Sequence, residues 1–401
     1  MKLAGALRNR NYRLFFAGQG LSLIGTWLTR FAMGFATYKL GGTAWQLGLV
    51  AFFSQAPTSI IAPVAGVLVD RWDRHRVIVI TQIFAMLQSA ALAVFALTGW
   101  MTVWHLMWLG AMQAVINAFD MPARQSFVRQ MVADRADLPN AIALNSALVN
   151  GARMVGPVIA TVLCAAVGFG WCFAIDAMSY LAVIGSLLAM RVVKAPRRVR
   201  TSHVREELLE GLRYVNGYPF VRSLLILLGI TCVFGGAYTA LLPQIADASL
   251  HGGDHGLGWL LGSAGAGALC GALYLAARRG TAGLEHVIAK CGISMGIGLV
   301  ALELAPGIWA AVPMMFLVGL GLMVQWTSTN TLVQTLVDDD KLGRVMSLYA
   351  VAFFTGAPLG ALIEGAVATV IGPIHTYALA GVGCLAASLW YRRRLPPHVA
   401  S

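Results

Sequence analysis

Four charged residues interrupt otherwise apolar stretches of this chain: Arg30, Arg153, Asp176 and Glu364. Charge in a greasy segment is expensive and marks a working position. Two acids and two bases can pair with one another, and an acid there can also take up and release a proton. Glu364 is the better proton carrier by sequence, because no basic residue adjoins it in its own stretch. Two plainer readings stand beside this one. Arg153 and Asp176 can form a static structural pair, and Arg30 can snorkel its head towards water. Gln55, Gln113, Asn117, Asn145, Gln325 and Trp326 offer polar or stacking contacts to a small molecule, or bind helix to helix. The eight His lie in loops or at the ends of apolar stretches, and the six Cys show no CxxC or paired spacing. Neither a metal site, a disulfide framework nor a cofactor is indicated.

The elements that must position these groups follow from composition. The chain has 401 residues, 58% hydrophobic and 11% charged. Mean hydropathy is +0.72. A soluble domain carries about 25% charged residues, so this chain lacks the charge to coat a globule in water. A helix needs about 20 apolar residues to cross a bilayer, and the pattern predicts twelve such spans. They cover 12–38, 45–69, 77–99, 103–121, 139–167, 171–192, 220–246, 255–277, 286–305, 308–330, 343–371 and 374–391. By helical rise, Arg30 lies roughly 26 Å along its span from Arg13, and Asp176 about 8 Å from the start of its own. The first span is too long for the apolar core of a cleaved leader.

Of the 29 Lys and Arg, 26 fall on one side of the resulting zigzag, with Lys39 on the other side and Arg30 and Arg153 within spans. Cytoplasmic loops retain basic residues, so both termini are expected in the cytoplasm of a cell inner-membrane protein. The net charge of +12 therefore faces anionic lipid, and nucleic acid is not an expected partner. Residues 193–219 form the longest polar segment. It begins as a basic linker and ends in a short amphipathic helix with Val204, Leu208, Leu212 and Val215 at helical spacing. The expected fold is all-α and membrane-integral: a six-helix bundle at 1–192, the linker at 193–219, and a second six-helix bundle with a short tail at 220–401. Repetition supports two halves, since Gln130, Asp134, Leu138 and Gly156 match Gln334, Asp338, Leu342 and Gly360 at one common offset. Parallel repeats of six spans are a transporter plan.

The loop after the second span reads GVLVDRWDRHR. Gly66 is expected to let helices approach closely. Asp70 is expected near a helix N-terminus, and Arg71, Arg74 and Arg76 can pair with Asp70, Asp73 or Asp120. This loop resembles the signature G-x-x-x-D-R-x-x-R-x-R of the major facilitator superfamily, which implies a cytoplasmic gate. Span 5 carries GARMVGPVIAT, in which Gly151, Gly156 and Pro157 resemble the antiporter motif of that superfamily, with Ala160-Thr161 in place of its closing Gly-Gly. Segments 25–35, 63–77, 120–132 and 137–157 are similar to the bacterial branch containing enterobactin exporters and macrolide efflux proteins. The resemblance implies a monomeric exporter of an amphipathic small molecule, coupled to protons by antiport. Span 4 lacks the Arg that many such antiporters carry, which leaves coupling by that route without its usual residue. An importer or uncoupled facilitator of the same fold would share these global features. A lipid-modifying enzyme would want a His-rich or clustered acidic site, and none is visible.

Overall fold

The computed structural model describes residues 6–131, 138–190, 204–278 and 280–395, and these are helical with short connections. The first helices are α1 (Arg10–Lys39), α2 (Ala44–Phe53), α3 (Ala56–Arg71), α4 (Arg74–Leu97), α5 (Val103–Met131), α6 (Leu138–Val167) and α7 (Phe169–Leu188). There follow α8 (Val204–Gly217), α9 (Pro219–Phe234), the short α10 (Leu242–Gln244), α11 (Gly253–Ala277) and α12 (Leu284–Ala301), then α13 (Ile308–Leu336), α14 (Asp339–Ile371) and α15 (Pro373–Arg393). The twelve expected spans map onto these in order, and two of them are broken. Span 2 divides into α2 and α3 at Ser54 and Gln55, with Pro57 in the first turn of α3. Span 7 stops at Phe234, before Gly235 and Gly236, and resumes as α10 and a π-helical turn at Ile245–Ser249. Gly is a poor helix former, so the Gly pair weakens the span where it breaks.

The apolar pattern ends span 4 before Pro122, but α5 runs through that proline to Met131. Pro is tolerated in membrane helices because neighbours satisfy the freed backbone groups. The extension matters below, since it places Asp120 and Arg124 one turn apart on a continuous helix. Six of the described helices are each long and apolar enough to cross a bilayer unaided: α4, α7, α12, α13 and most of α11 and α14. Ile60, Val162, Leu181, Leu273 and Val370 are all more than half exposed. A soluble surface rarely gathers so much bare apolar side chain, whereas lipid solvates it.

The chain divides into two compact units. The first comprises Met1–Gly41 and Phe53–Thr201, the second Gly42–Phe52 and Ser202–Ser401. The boundary differs from the sequence expectation, because the α2 segment belongs to the second unit. The cause is close backbone packing: Gly48 lies against the Ala361 carbonyl and Gly365 of α14, leaving no room for a Cβ. Ala51 extends the contact onto Ala237, Ala240 and Ala361.

Within each unit the same pairings recur. In the first, α1 packs on α6 and α7, α3 on α5, and α4 on α5 and α7. In the second, α9 packs on α14 and α15, α11 on α13, and α12 on α13 and α15. The sequence repeat is thus a repeat of contacts. Gly156 of α6 sits on Trp27 of α1, and its counterpart Gly360 of α14 sits on the Val233 carbonyl of α9. The GxxxG pairs Gly267/Gly271, Gly292/Gly296 and Gly356/Gly360 all face such close neighbours.

The polar linker ends in α8, which meets α9 at an angle of 115°. It docks on the start of α14 through an Arg344–Glu210 ion pair of 2.7 Å and a Tyr214 hydroxyl donated to Asp338 at 3.0 Å. Val215 inserts into the apolar core of the second unit.

Candidate functional site: two buried acids and a polar cavity

Asp176 lies two turns into α7, facing α1 and α4, and is 1% exposed. Thr29 of α1 donates to its Oδ2 at 2.8 Å, and Ser89 of α4 donates to the same oxygen at 2.7 Å. Its Oδ1 has no partner among the described residues. The carboxyl fits because Gly25 stands opposite: a Cβ there would come within 2.5 Å of Oδ1 and 2.6 Å of the Ser179 hydroxyl. Thr29 is adjacent to Arg30, so these two charged positions share one depth in the first unit. The Arg30 side chain is itself exposed and lies over the Trp27 ring at 4.9 Å. Trp27 is the residue on which Gly156 packs. The Arg153 side chain is outside the described residues.

Glu364 sits deep in α14 and is 3% exposed. Neither of its oxygens has a hydrogen-bond partner among the described residues. Tyr377 and Cys384 of α15 are within electrostatic reach of it. Both acids break the repeat that governs the packing. The position equivalent to Asp176 in the second half is Ala380, and the position equivalent to Glu364 in the first is Ala160.

The gating-loop expectation is redrawn in part. Asp73, rather than Asp70, caps a helix in this loop, its carboxylate accepting from the Arg76 backbone N–H at 3.2 Å at the start of α4. Asp70 and Arg71 end α3, and the Asp70 side chain is outside the described residues. Among the described residues Gly66 makes no close approach, since a Cβ there would meet nothing within 4 Å, and the same holds for Gly151. Arg74 opens α4, while Arg71 and Arg76 are exposed. Asp120, expected against the basic loop, is 1% exposed. It accepts instead from Thr81 and Gln82 of α4, each at 2.9 Å. It also forms an ion pair with Arg124, one turn on in α5. The helix carrying Pro157 continues unbroken to Val167, and the Thr161 hydroxyl donates to the Pro157 carbonyl at 2.9 Å.

The polar residues of the spans separate by unit. Gln113 and Asn117 face a cavity of about 40 Å³ in the first unit, also lined by Gln19, Gln82, Tyr180 and Asp120. Gln113 donates to Asn117 at 3.2 Å. Gln55 precedes the first residue of α3, and Asn145 is half-buried on α6. In the second unit Gln325 is fully buried and donates to Thr231 at 3.1 Å. Trp326 packs edge-on against Phe353 at 4.9 Å. Sequence reading passes over Gln19, Gln82 and Tyr180, and takes Arg124 for a loop residue. Their signal is present, since all lie on helices and three are uncharged polar residues in apolar runs, but nothing in the sequence shows that they converge.

Two compact helical units with matched internal pairings, acids buried in each, and an apolar exterior describe a transporter fold. The transmembrane secretion effector family model matches residues 3–401, and the chain belongs to that family of the major facilitator superfamily. It is 24% identical over 408 residues to the enterobactin exporter EntS of Escherichia coli (strain K12), covering 97% of this chain and 95% of the exporter. It is 24% identical over 388 residues to the staphyloferrin A transporter of Staphylococcus aureus (strain NCTC 8325 / PS 47), covering 94% of each. Among solved structures, a point mutant of the peptide transporter POT shares its fold with TM-score 0.75 at 13% identity, covering 97% of this chain and 94% of that one. A bacterial homolog of the human lysosomal transporter Spinster, inward-facing and unoccupied, gives TM-score 0.69 at 14% identity, covering 96% and 94%. The chain is a multi-pass membrane transporter of small molecules, not an enzyme.

Proposed function

We propose that this transporter exports an amphipathic small molecule of the siderophore class across the inner membrane, in exchange for protons. Both termini lie in the cytoplasm, and the monomer is the working unit. The direction and substrate class rest on the full-length similarity to an enterobactin exporter and a staphyloferrin A transporter. The basic residues concentrated at one side of the spans support the orientation.

The observation that carries the coupling is Glu364. A carboxylate shut away from water without donors costs several kcal/mol, and such a group takes up a proton instead. On this reading Glu364 carries the exchanged proton, which leaves when a change of state opens α14 to water. A carrier of this kind loads on one side and discharges on the other. Asp176 is the second candidate, with two hydroxyls ready to stabilise either form.

The test uses vesicles loaded with enterobactin as the probe. An imposed pH gradient accelerates transport by the wild type. Glu364→Gln, a neutral isostere, loses that acceleration by about tenfold or more while equilibrative flux persists. An unchanged response in Glu364→Gln removes Glu364 from coupling, and the absence of any response in the wild type supports an uncoupled facilitator.

A further inference from the structure

The cavity of the first unit is not built for an exported molecule. Its volume of about 40 Å³ holds roughly three waters, given about 10–15 Å³ for each. Its lining is mostly polar, with Leu23, Ala85 and Ile116 among it, where a dry cavity is apolar throughout. Gln19 and Gln82 are nearly fully buried, at 2% and 4% exposure. The side-chain carbonyl oxygens of Gln19, Gln82 and Gln113 are all buried, and none has a donor among the described residues. Buried acceptors are satisfied by protein or by ordered water. Three orphaned carbonyls turned to one polar space call for water as their donor.

The two ends of this space are chemically distinct. Towards the basic loop stands Asp120, held by Thr81, Gln82 and Arg124. Towards the other end stands Tyr180, whose hydroxyl lies 3.4 Å from that of Thr26. Tyr180 is also within hydrogen-bond reach of Gln113, and within electrostatic reach of both Asp176 and Arg124. Asp176 is one turn from Tyr180 on α7, about 6 Å along the axis, with its Oδ1 unpartnered among the described residues and packed against Gly25. A tyrosine hydroxyl both donates and accepts, so it can hand on a proton once its side chain swings to the Asp176 carboxyl. Around Asp176, α1 offers Thr29, α4 offers Ser89, and its own helix offers Ser179 and Tyr180. Arg124 of α5 acts through Tyr180, Arg30 is exposed over Trp27, and Cys164 of α6 faces Cys172 one turn away.

We infer that this cavity holds a short chain of waters that conducts protons between Asp176 and the Asp120–Arg124 pair, inside the first unit and apart from the substrate's own path. The inference rests on the proton-exchange reading above and extends it to a route. A proton leaving the Asp176 carboxyl passes to the Tyr180 hydroxyl, which gives its own to the first water. Each water accepts one proton and releases another, and one emerges past the Asp120–Arg124 pair, of which Arg124 is partly exposed. Between the ends no group changes charge. Tyr180 relays the proton itself, while the three glutamines are positioning residues that order the water.

The experiment follows Asp176 directly. Purified protein in lipid nanodiscs is subjected to a pH jump, and the infrared carbonyl band of its protonated carboxyl is recorded in time, assigned by its loss in Asp176→Asn. Gln113→Leu fills the cavity with apolar atoms and Tyr180→Phe removes the relay hydroxyl. Each is expected to slow the band's response tenfold or more while leaving its final amplitude in place. Gln19→Leu replaces either variant should one fail to fold. Wild-type rates in the variants, or a band that ignores the pH jump, overturn the conduit. The same proteins are then assayed for enterobactin flux under a pH gradient. Slowed protonation with gradient-independent flux keeps the conduit and overturns proton exchange. Unslowed protonation with gradient-driven flux does the reverse.

Discussion

Asp176 and Glu364 are both carboxyls buried deep in apolar helices, yet their surroundings have little in common. Asp176 has two hydroxyl donors on one oxygen, a glycine cut away beside the other, and a polar cavity one turn off. Glu364 has no donor among the described residues. The two donated hydrogen bonds offset part of the cost of burying the first acid. The second has no such offset among the described residues. On the proposed reading, the first unit passes protons and the second holds one until the protein changes state.

The contrast can be broken by making Asp176 resemble Glu364. Thr29→Val together with Ser89→Ala strips both donors, and each loss should cost about 1–3 kcal/mol of stability, as an unsatisfied buried group does. Thermal unfolding in detergent measures this. In an Asp176→Leu background the same pair of substitutions should cost far less, since no acid remains to be orphaned. Glu364→Met is expected to cost nothing measurable or to stabilise, because a buried polar group without partners gives way to an apolar one of similar length. A large loss in Glu364→Met would mean that Glu364 is held by partners, and the comparison would fail.

A smaller effect is expected from Gly25→Ala. The added methyl must displace the Asp176 carboxyl or Ser179, at about 1–3 kcal/mol for overpacking. Its partial rescue by Asp176→Ala would show that the carboxyl is what the glycine accommodates. The smallest effect is at the loop between α3 and α4, where Asp73→Ala removes a helix cap worth about 1 kcal/mol. That change should lower the melting midpoint slightly without altering the pH dependence of flux. A loss of pH dependence would bring the loop into the coupling.

Much of the architecture can be read without coordinates. Apolar spans, one-sided basic loops and the offset repeat all arise from the membrane's demand for continuous helices and from duplicated packing, and both leave marks in linear order. The Gly156 and Gly360 contacts are of that kind. What cannot be read depends on convergence in space. The α2 segment joins the second unit through Gly48, one small residue among 44 glycines. Gly66 carries a family signature yet leaves open space among the described residues where a Cβ would stand, so motif membership does not predict close packing. Topology assigns Asp120 to the cations of the loop at Arg71 to Arg76, while its partner Arg124 sits beyond Pro122, outside the expected span. Gln19, Gln82 and Tyr180 look like ordinary helix–helix contacts until they are seen around one cavity.

The most direct measurement is proton release on binding. Enterobactin is added to the purified transporter in weakly buffered solution near neutral pH, and protons are counted for the wild type and for Glu364→Gln. If Glu364 rests in its protonated form and surrenders that proton when cargo binds, the wild type releases more protons than the variant by the amount that one carboxyl supplies. Equal release from the two proteins would contradict the assignment of the coupled proton to Glu364.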